Sequence, residues 1–260
     1  MVWNDFHFYS ETLGIQTAAY VLMPEADVLA ENAGKPLPTL YLLHGLSDDH
    51  TMWLRNTRIA QYARHYYMAV VMPAGNRSFY MDMAHGAKYG TFVGEELPRV
   101  MESYLPLSRE RAGRYAAGLS MGGYGAMKLG LSLPHRYAAV AALSAPLWMQ
   151  TALDDSSFDP AMAREFADIY GGREGLITGE GNLARLADEL ANADAPKIYM
   201  GCGTDDFLYS ANEAFYAHFG QKFGIDYVRE PGASHTWDYW DAAIRDVLRW
   251  LPLQRLENVF

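Results

Sequence analysis

The apolar positions of this chain recur with two spacings, one typical of strands and the other typical of helices. Residues 6–9 and 16–23 alternate and are rich in Thr, Tyr and Val, which predicts an opening antiparallel pair of strands. Short apolar runs predict buried strands at residues 39–43, 67–72, 114–117, 138–143, 197–201 and 225–230. Helical spacing predicts helices at residues 53–65, 91–105, 123–133, 210–223 and 239–251. Because strands and helices alternate along the chain, we expect an α/β fold with a mostly parallel central sheet flanked by helices.

Three stretches lie outside this alternation. Residues 24–38 are predicted to be a loop, and residues 76–89 a second loop, long enough to suggest a functional role in a compact domain. Residues 146–191 carry short helical patterns separated by glycines, which predicts a small helical excursion over the sheet and not a second domain. The whole chain, residues 1–260, is therefore expected to form a single domain.

Composition and charge narrow the class of protein. Half of the 260 residues are hydrophobic and 20% are charged, which suits a folded domain with one large core. The formal net charge of −10, with no basic run, argues against a nucleic-acid partner. There is no run of about 18 apolar residues that would predict a membrane span, and no secretory signal is visible. The single cysteine, Cys202, rules out an internal disulfide, and we expect a cytoplasmic protein.

The candidate chemistry centres on Gly118-Leu119-Ser120-Met121-Gly122, which has the pattern G-x-S-x-G. In a nucleophile elbow, a strand turns sharply into a helix and holds a serine at the apex in a strained backbone conformation. Glycines are needed on both sides because the strand and helix backbones approach too closely for a Cβ atom. The motif also arises by chance, so the other catalytic groups must follow it in the expected order.

The order of the triad in such sites is serine, then an acid, then histidine, and this order selects the base. Two histidines, His218 and His235, lie well downstream of Ser120 and beyond the next strand. His218 falls inside a predicted helix, where a surface position is expected. His235 falls in the loop after the last predicted strand, from which it can reach the serine. We therefore predict that Ser120 is the nucleophile and that His235 is the base.

The acid is expected in the loop after the strand at residues 197–201, where Asp205 and Asp206 are adjacent. Neighbouring side chains in a loop point in different directions, so one can orient His235 while the other caps the following helix. The chemistry of the two residues does not choose between them. A carboxylate is needed because it fixes the histidine tautomer and stabilises the imidazolium that forms as the serine loses its proton.

The oxyanion of a tetrahedral intermediate needs two backbone N–H donors. One is predicted to be the N–H of Met121, the residue after the nucleophile. The other should come from the loop after an earlier strand, and His44-Gly45-Leu46 is placed for it, with the Leu46 N–H as the predicted donor. Trp148 follows another strand end on the same side of the sheet and is predicted to line the substrate pocket.

Other reactive side chains have simpler explanations. His44, Asp48, Asp49 and His50 could be metal ligands, but their spacing matches no metal motif, and a turn with a helix cap explains the acidic residues. We therefore predict no metal site. Cys202 is expected to be a small buried residue and not a nucleophile. Three aromatic residues near the C-terminus could bind substrate or pack the last helix on the sheet: Trp237, Tyr239 and Trp240.

Several segments, in a fixed order from near residue 6 to near residue 252, carry a family resemblance. They are Tyr41-Leu42-Leu43-His44-Gly45-Leu46, His50 with Trp53-Leu54, Val70-Val71-Met72-Pro73, Glu95-Glu96-Leu97-Pro98, Ala117-Gly118-Leu119-Ser120-Met121-Gly122-Gly123-Tyr124-Gly125, Asp206-Phe207-Leu208-Tyr209, and Ser234-His235-Thr236-Trp237 with Tyr239-Trp240. With these segments the chain resembles the esterase D / S-formylglutathione hydrolase-like group of α/β-hydrolases, and within it most closely the bacterial tributyrin esterases.

The resemblance implies an α/β-hydrolase fold and a serine carboxylesterase that hydrolyses short acyl esters, of the acetyl or butyryl type, through an acyl-enzyme. It implies a Ser-Asp-His triad without a cofactor. The family pattern places the aspartate immediately before Phe207-Leu208-Tyr209, and that residue is Asp206. It also implies a small-molecule ester as substrate, no nucleic-acid or membrane partner, and a homo-oligomer, either a dimer or a tetramer.

Alternative activities follow from the same resemblance. Members of the group also act on S-formylglutathione, on acetylated sugars and on feruloyl esters, so a thioesterase, a deacetylase or a feruloyl esterase is the alternative. The secreted mycolyltransferases are distant relatives, and the lack of a visible secretory signal argues against that activity. A non-catalytic binding module is the alternative from another class, but all three triad members are present in the chain.

Overall fold

The computed structural model describes residues 1–32, 34–149 and 160–257, and its strands form one eight-stranded sheet. The strands are β1 (Val2–Ser10), β2 (Ile15–Met23), β3 (Thr39–Leu43), β4 (Ala69–Pro73), β5 (Arg114–Leu119), β6 (Ala139–Leu143), β7 (Lys197–Gly203) and β8 (Asp226–Glu230). Their order across the sheet is β1-β2-β4-β3-β5-β6-β7-β8. The β1–β2 and β2–β4 pairs are antiparallel, and the other five pairs are parallel. The predicted mostly parallel sheet and the antiparallel opening pair are thus confirmed.

The central strands send alternate side chains into two separate apolar layers. In β3, Leu40 and Leu42 belong to one layer, whereas Tyr41 and Leu43 belong to the other, and all four are fully buried. A strand that is buried on both faces needs apolar residues at every position. For this reason β3 appears in the sequence as an uninterrupted apolar run.

Helices cover both faces of the sheet. They are α1 (Ala26–Glu31), α2 (Met52–Asn56), α3 (Ile59–Ala63), α4 (Tyr89–Thr91), α5 (Leu97–Tyr104), α6 (Met121–Ser132), α7 (Pro160–Tyr170), α8 (Gly172–Thr178), α9 (Leu183–Glu189), α10 (Tyr209–Phe223) and α11 (Trp237–Trp250). The buried residues of α2, α3 and α11 lie in one apolar layer, and those of α5 to α10 lie in the other. Among the described residues, no helix is long and apolar enough to cross a membrane.

The predicted single helix over residues 53–65 is wrong, because the chain forms α2 and α3 with a break at Thr57. The backbone of Thr57 is extended, with φ −133° and ψ 168°. Its hydroxyl donates to the Trp53 carbonyl at 2.5 Å and accepts from the Ile59 N–H at 3.2 Å, so one side chain ends the first helix and caps the second. The predicted loop over residues 24–38 likewise contains a short helix, α1.

The excursion predicted over residues 146–191 contains α7, α8 and α9, and residues 150–159 of it lie outside the described part of the chain. Its described helices carry apolar side chains into the same layer as α6. Phe166 of α7 packs on Phe79 with ring centroids 5.2 Å apart, and Tyr170 stacks on Phe166 at 5.7 Å. The excursion is therefore attached to the loop that follows β4.

A buried glutamate fastens the opening hairpin to the rest of the fold. Glu96 lies in the π-helical turn Phe92–Glu96 that joins α4 to α5, and it is only 4% exposed. Its carboxylate accepts from the Ser10 hydroxyl at 2.5 Å, from the Glu11 N–H at 2.8 Å and from the Thr12 N–H at 3.2 Å. Burial alone would raise the pKa of Glu96, but these hydrogen bonds outweigh it and lower the pKa. The carboxylate is therefore ionised at neutral pH and holds the end of β1.

We expect Glu96→Gln to lower the free energy of unfolding by about 2 kcal/mol, because an amide leaves one of these buried donors without an acceptor. Urea unfolding at neutral pH measures the loss. Glu95→Gln is the matched control, since the preceding residue is exposed and should change stability by less than about 0.5 kcal/mol. Equal losses in the two variants would contradict this role of Glu96.

Candidate active site

Ser120 lies at the junction between β5 and α6, in a backbone conformation that few side chains adopt. Its φ is +51° and its ψ is −119°, a region whose occupation costs about 1–3 kcal/mol and therefore needs support from the surrounding fold. A Cβ at Gly118 would overlap the main chain of Gly122, and a Cβ at Gly122 would overlap the Leu43 carbonyl of β3. The Ser120 N–H donates to the Leu143 carbonyl at 2.8 Å. The strained turn is thus fixed by close backbone packing on two sides.

The structure brings the three predicted side chains together in one chain of hydrogen-bonding distances. His235 Nε2 lies 3.1 Å from Ser120 Oγ. On the other side of the ring, His235 Nδ1 lies 2.9 Å from Asp206 Oδ2 and 3.1 Å from Asp206 Oδ1. The Asp206 side chain is fully buried, whereas the imidazole is 20% exposed. This arrangement has the geometry of a nucleophile, a base and an orienting acid.

The two adjacent aspartates, which the chemistry of the sequence did not separate, occupy different environments. Asp205 is exposed, and its side chain accepts only from the Thr204 hydroxyl at 3.3 Å among the hydrogen bonds of the described residues. Asp206 points at His235, and its Oδ1 also accepts from the Leu208 N–H at 2.9 Å. Burial alone would raise the pKa of Asp206, but the hydrogen bonds from His235 and Leu208 lower it. Asp206 therefore stays ionised beside the imidazole.

Ser144 and Trp240 form a second layer behind the acid, and the sequence reading assigned neither of them to it. Ser144 is fully buried directly after β6, with a left-handed φ of +47°. The indole N–H of Trp240 donates to its hydroxyl at 3.1 Å, and the same hydroxyl helps to lower the pKa of Asp206. The Trp240 ring also meets the His235 ring edge-on, with centroids 4.9 Å apart. No local pattern reveals these contacts, since they join β6 to α11.

The turn after β3 presents the predicted second oxyanion donor. His44 is 1% exposed; its Nε2 accepts from the Gly75 N–H at 2.9 Å, so its Nδ1 carries the proton and donates to the Gly45 carbonyl at 2.7 Å. Burial lowers the pKa of His44 to about 4, and the ring is neutral at neutral pH. The N–H of a trans peptide points away from its carbonyl, so holding the Gly45 carbonyl aims the Leu46 N–H the other way. Among the described residues, no acceptor takes a hydrogen bond from Leu46 N–H.

The first residue of α6 presents the other predicted donor. Met121 follows Ser120 and begins the helix, where backbone N–H groups have no partner within the helix. The partial positive charge of a helix N-terminus also favours an anion at this place. Leu46 and Met121 thus stand on two different elements that meet at Ser120.

Comparison with known proteins identifies the family to which this site belongs. The profile of the family described as "Putative esterase" matches residues 10–251, which is nearly the whole chain. The chain belongs to this esterase family. The predicted resemblance to the esterase D / S-formylglutathione hydrolase-like group is thereby confirmed.

Individual relatives agree with the family. The chain is 33% identical to an acetyl esterase of Caldicellulosiruptor saccharolyticus, over 96% of this chain and 98% of the relative. It is 32% identical to FphF, a fluorophosphonate-binding serine hydrolase of Staphylococcus aureus solved with substrate bound, with a TM-score of 0.86 over 96% of this chain and 98% of the other. The S-formylglutathione hydrolase FrmB of the same organism gives 32% identity and a TM-score of 0.83 with the same coverage. The α/β-hydrolase fold is thus confirmed, and the protein is an esterase of the serine-hydrolase class.

In this esterase, the group once considered as metal ligands is engaged in local contacts. Both ring nitrogens of His44 have backbone partners, and Asp48 accepts from the N–H of the turn at 3.1 Å. Asp49 accepts from the N–H and the hydroxyl of Thr51 at 2.8 and 2.6 Å, as expected for a capping residue. Within residues 1–32, 34–149 and 160–257, no three His, Cys, Asp or Glu side chains are grouped so that they could hold a metal ion.

The remaining candidate residues of the esterase occupy other places. Trp148 stacks on His218 of α10, with ring centroids 4.6 Å apart, and His218 is exposed. Cys202 is fully buried, and burial raises the pKa of its thiol to about 12, so it stays protonated. Trp237 packs edge-on against Trp53 at 5.4 Å, which places it in the contact between α11 and α2.

His44 generates a testable pH dependence of stability. Its pKa is about 4 in the folded protein and 6.5 in the unfolded chain, so the unfolded state takes up the proton first as the pH falls. The stability that depends on neutral His44 is present above pH 6.5 and is lost between pH 6.5 and 4, by about 3 kcal/mol in total. We expect urea unfolding to show a steeper loss from pH 7.5 to 5 for the wild type than for His44→Gln.

The exposed His218 provides the control for this measurement. His218→Gln should keep the wild-type dependence of unfolding free energy on pH, because its ring is exposed to solvent. Parallel curves for the wild type and His44→Gln would show that His44 is not the buried neutral group described above.

Proposed function

We propose that this esterase is a serine carboxylesterase that hydrolyses short-chain acyl esters through an acyl-enzyme intermediate. The observation that carries the proposal is the continuous series Ser120 Oγ, His235 Nε2, His235 Nδ1 and Asp206 Oδ2, with separations of 3.1 and 2.9 Å between side chains. Ser120 is partly accessible, so a substrate carbonyl can reach its hydroxyl. The similarity to an acetyl esterase supports a short acyl group.

The proposed reaction has two halves that use the same groups. In the first, Ser120 Oγ attacks the ester carbonyl while His235 Nε2 takes its proton, and His235 then gives that proton to the departing alcohol. In the second, a water molecule gives its proton to His235 and attacks the acyl group, which releases the acid and restores the serine. Asp206 keeps the proton of the imidazole on Nδ1 and stabilises the positive charge in both halves. No cofactor is needed for these steps.

The tetrahedral intermediates of both halves place a negative charge on the former carbonyl oxygen. We assign its stabilisation to the N–H groups of Leu46 and Met121, which belong to separate elements and meet beside Ser120. Loss of one such donor typically raises the barrier by about 3 kcal/mol. The donors are backbone groups, so the fold and not a single side chain must hold them in place.

Hydrolysis of S-formylglutathione is the second candidate function. The similarity to FrmB at 32% identity favours it, and the same triad can attack a thioester carbonyl and release a thiol. A deacetylase or feruloyl esterase of sugar esters would use the same chemistry, and pocket shape separates these substrates from one another. A role for Trp148 in lining that pocket stays a prediction, since its described contacts are with α10.

Three broader expectations also stay predictions. A cytoplasmic location and assembly into dimers or tetramers follow from the sequence and the family resemblance alone. We further propose that residues 1–260 form one domain, and the single sheet that runs from β1 to β8 supports this proposal.

The substrate series p-nitrophenyl acetate, butyrate and octanoate tests the proposed function. We expect hydrolysis to fall as the acyl chain lengthens and to drop at least about 10⁴-fold in Ser120→Ala, because the nucleophile is lost. S-formylglutathione, measured beside them, would favour the second candidate if its kcat/KM is far above that of every aryl ester. A wild-type protein that hydrolyses neither kind of substrate would contradict both functions.

The paired aspartates provide a matched test of the acid. Asp206→Asn should lower kcat by about 10⁴-fold, because an amide favours the wrong tautomer of His235. Asp205→Asn is the control at the neighbouring exposed position and should lower kcat less than about tenfold. The assignment of the acid is wrong if the larger loss belongs to Asp205→Asn.

A further inference from the structure

The turn that carries the Leu46 N–H is held by its carbonyl groups, and this inference rests on the proposed use of that N–H as an oxyanion donor. The peptide between Gly45 and Leu46 is fixed by the hydrogen bond from the His44 ring to the Gly45 carbonyl. The preceding peptide is fixed at both ends, because the His44 carbonyl accepts from the Tyr80 hydroxyl at 3.0 Å and the Gly45 N–H donates to Asp48 at 3.1 Å. The direction of the donor therefore depends on residues outside the turn.

Residues 75–80, the loop after β4, supply most of these contacts and are themselves in an unusual conformation. Asn76, Phe79 and Tyr80 have left-handed φ values of +46°, +50° and +54° although none of them is glycine. Tyr80 is 1% exposed, and the Ser78 hydroxyl bridges its N–H at 3.0 Å and the Gly75 carbonyl at 2.6 Å. A strained loop that persists in a buried place is over-determined by its surroundings, and such loops are concentrated at functional sites.

Arg77 extends from the same loop and contacts two elements at once. Its Nη1 donates to the Leu46 carbonyl at 3.3 Å, which fixes the peptide that follows the donor. Its Nε and Nη2 donate to Oε1 and Oε2 of Glu165 in α7, both at 2.6 Å. The guanidinium is half exposed, so the ion pair itself adds little to stability. Its planar fork does, however, give the two contacts a fixed relative geometry.

We propose that Arg77 is a positioning residue for the oxyanion donor, and that Glu165 aligns it from the helical excursion. The peptides on both sides of Leu46 are then held by their carbonyls, one by His44 and the other by Arg77. Placement of α7 is thereby linked to the direction of the Leu46 N–H. An acyl group that displaces α7 would weaken the stabilisation of its own transition state, so the link makes catalysis sensitive to acyl size.

Paired oxo and thiono substrates test this role. We measure kcat/KM for p-nitrophenyl acetate and for p-nitrophenyl thionoacetate, in which sulfur replaces the carbonyl oxygen and accepts hydrogen bonds more weakly. Arg77→Gln should lower kcat/KM for the oxo ester about tenfold and for the thiono ester much less, so their ratio falls. Glu165→Gln should move the ratio in the same direction, and the double variant should be no worse than Arg77→Gln, because both act through one contact. Arg77→Lys should recover only part of the ratio.

A second ion pair of similar geometry provides the control. Arg229 of β8 donates from Nε and Nη2 to the two oxygens of Glu213 in α10, at 2.7 and 3.1 Å, and is also partly exposed. Arg229→Gln should leave the oxo-to-thiono ratio at the wild-type value. An equal loss for both esters in Arg77→Gln would overturn the proposal, since a general structural role or a changed acyl pocket lowers both alike. An inactive wild type would instead overturn the proposed esterase function.

Discussion

The close approach of three main chains behind Ser120 is the constraint on which the rest of the site depends. Gly118 in β5 and Gly122 in α6 leave no room for a Cβ, and the helix start lies against the Leu43 carbonyl of β3. This contact holds the serine at a positive φ and raises it above the end of the sheet. It also brings the turn after β3 next to the first N–H of α6. One packing contact thus positions the nucleophile and both proposed oxyanion donors.

Burial has opposite consequences for the ionisable groups around this contact, and the hydrogen bonds of each group decide which one results. His44 is driven to its neutral form, because its two ring nitrogens are served by one backbone donor and one backbone acceptor. Cys202 keeps its proton for the same reason, and it therefore does not compete as a nucleophile. Asp206 is equally enclosed but receives hydrogen bonds from His235 and Leu208, which keep it charged. The site thus combines a neutral support under the oxyanion turn with a charged support under the base.

The features that could be predicted from the sequence are those carried by short-range patterns. The apolar runs of β3 to β7 and the glycines around Ser120 follow from burial and from backbone approach, and the order of the elements places His235 after the last strand. The break at Thr57 was missed because a hydroxyl that caps one helix while ending another looks like any other polar residue in a helical stretch. The choice between the aspartates needed a family resemblance, since loop direction decides it.

The contacts that could not be predicted join elements far apart in the chain. Ser144 meets Trp240 across 96 residues, and Arg77 meets Glu165 across 88. Neither pair belongs to a motif, and each becomes visible only when the sheet sets its strand ends side by side. Such contacts surround the reacting groups without touching the substrate, so they can differ between relatives that share one triad.

The central claim is that Ser120 is an activated nucleophile, and covalent labelling measures this most directly. The protein would be incubated with a fluorophosphonate probe, and intact mass and peptide mapping would locate the adduct. The account predicts one adduct per chain, on Ser120, and no adduct in Ser120→Ala under the same conditions. An unmodified wild-type protein, or an adduct carried by another residue, would contradict it.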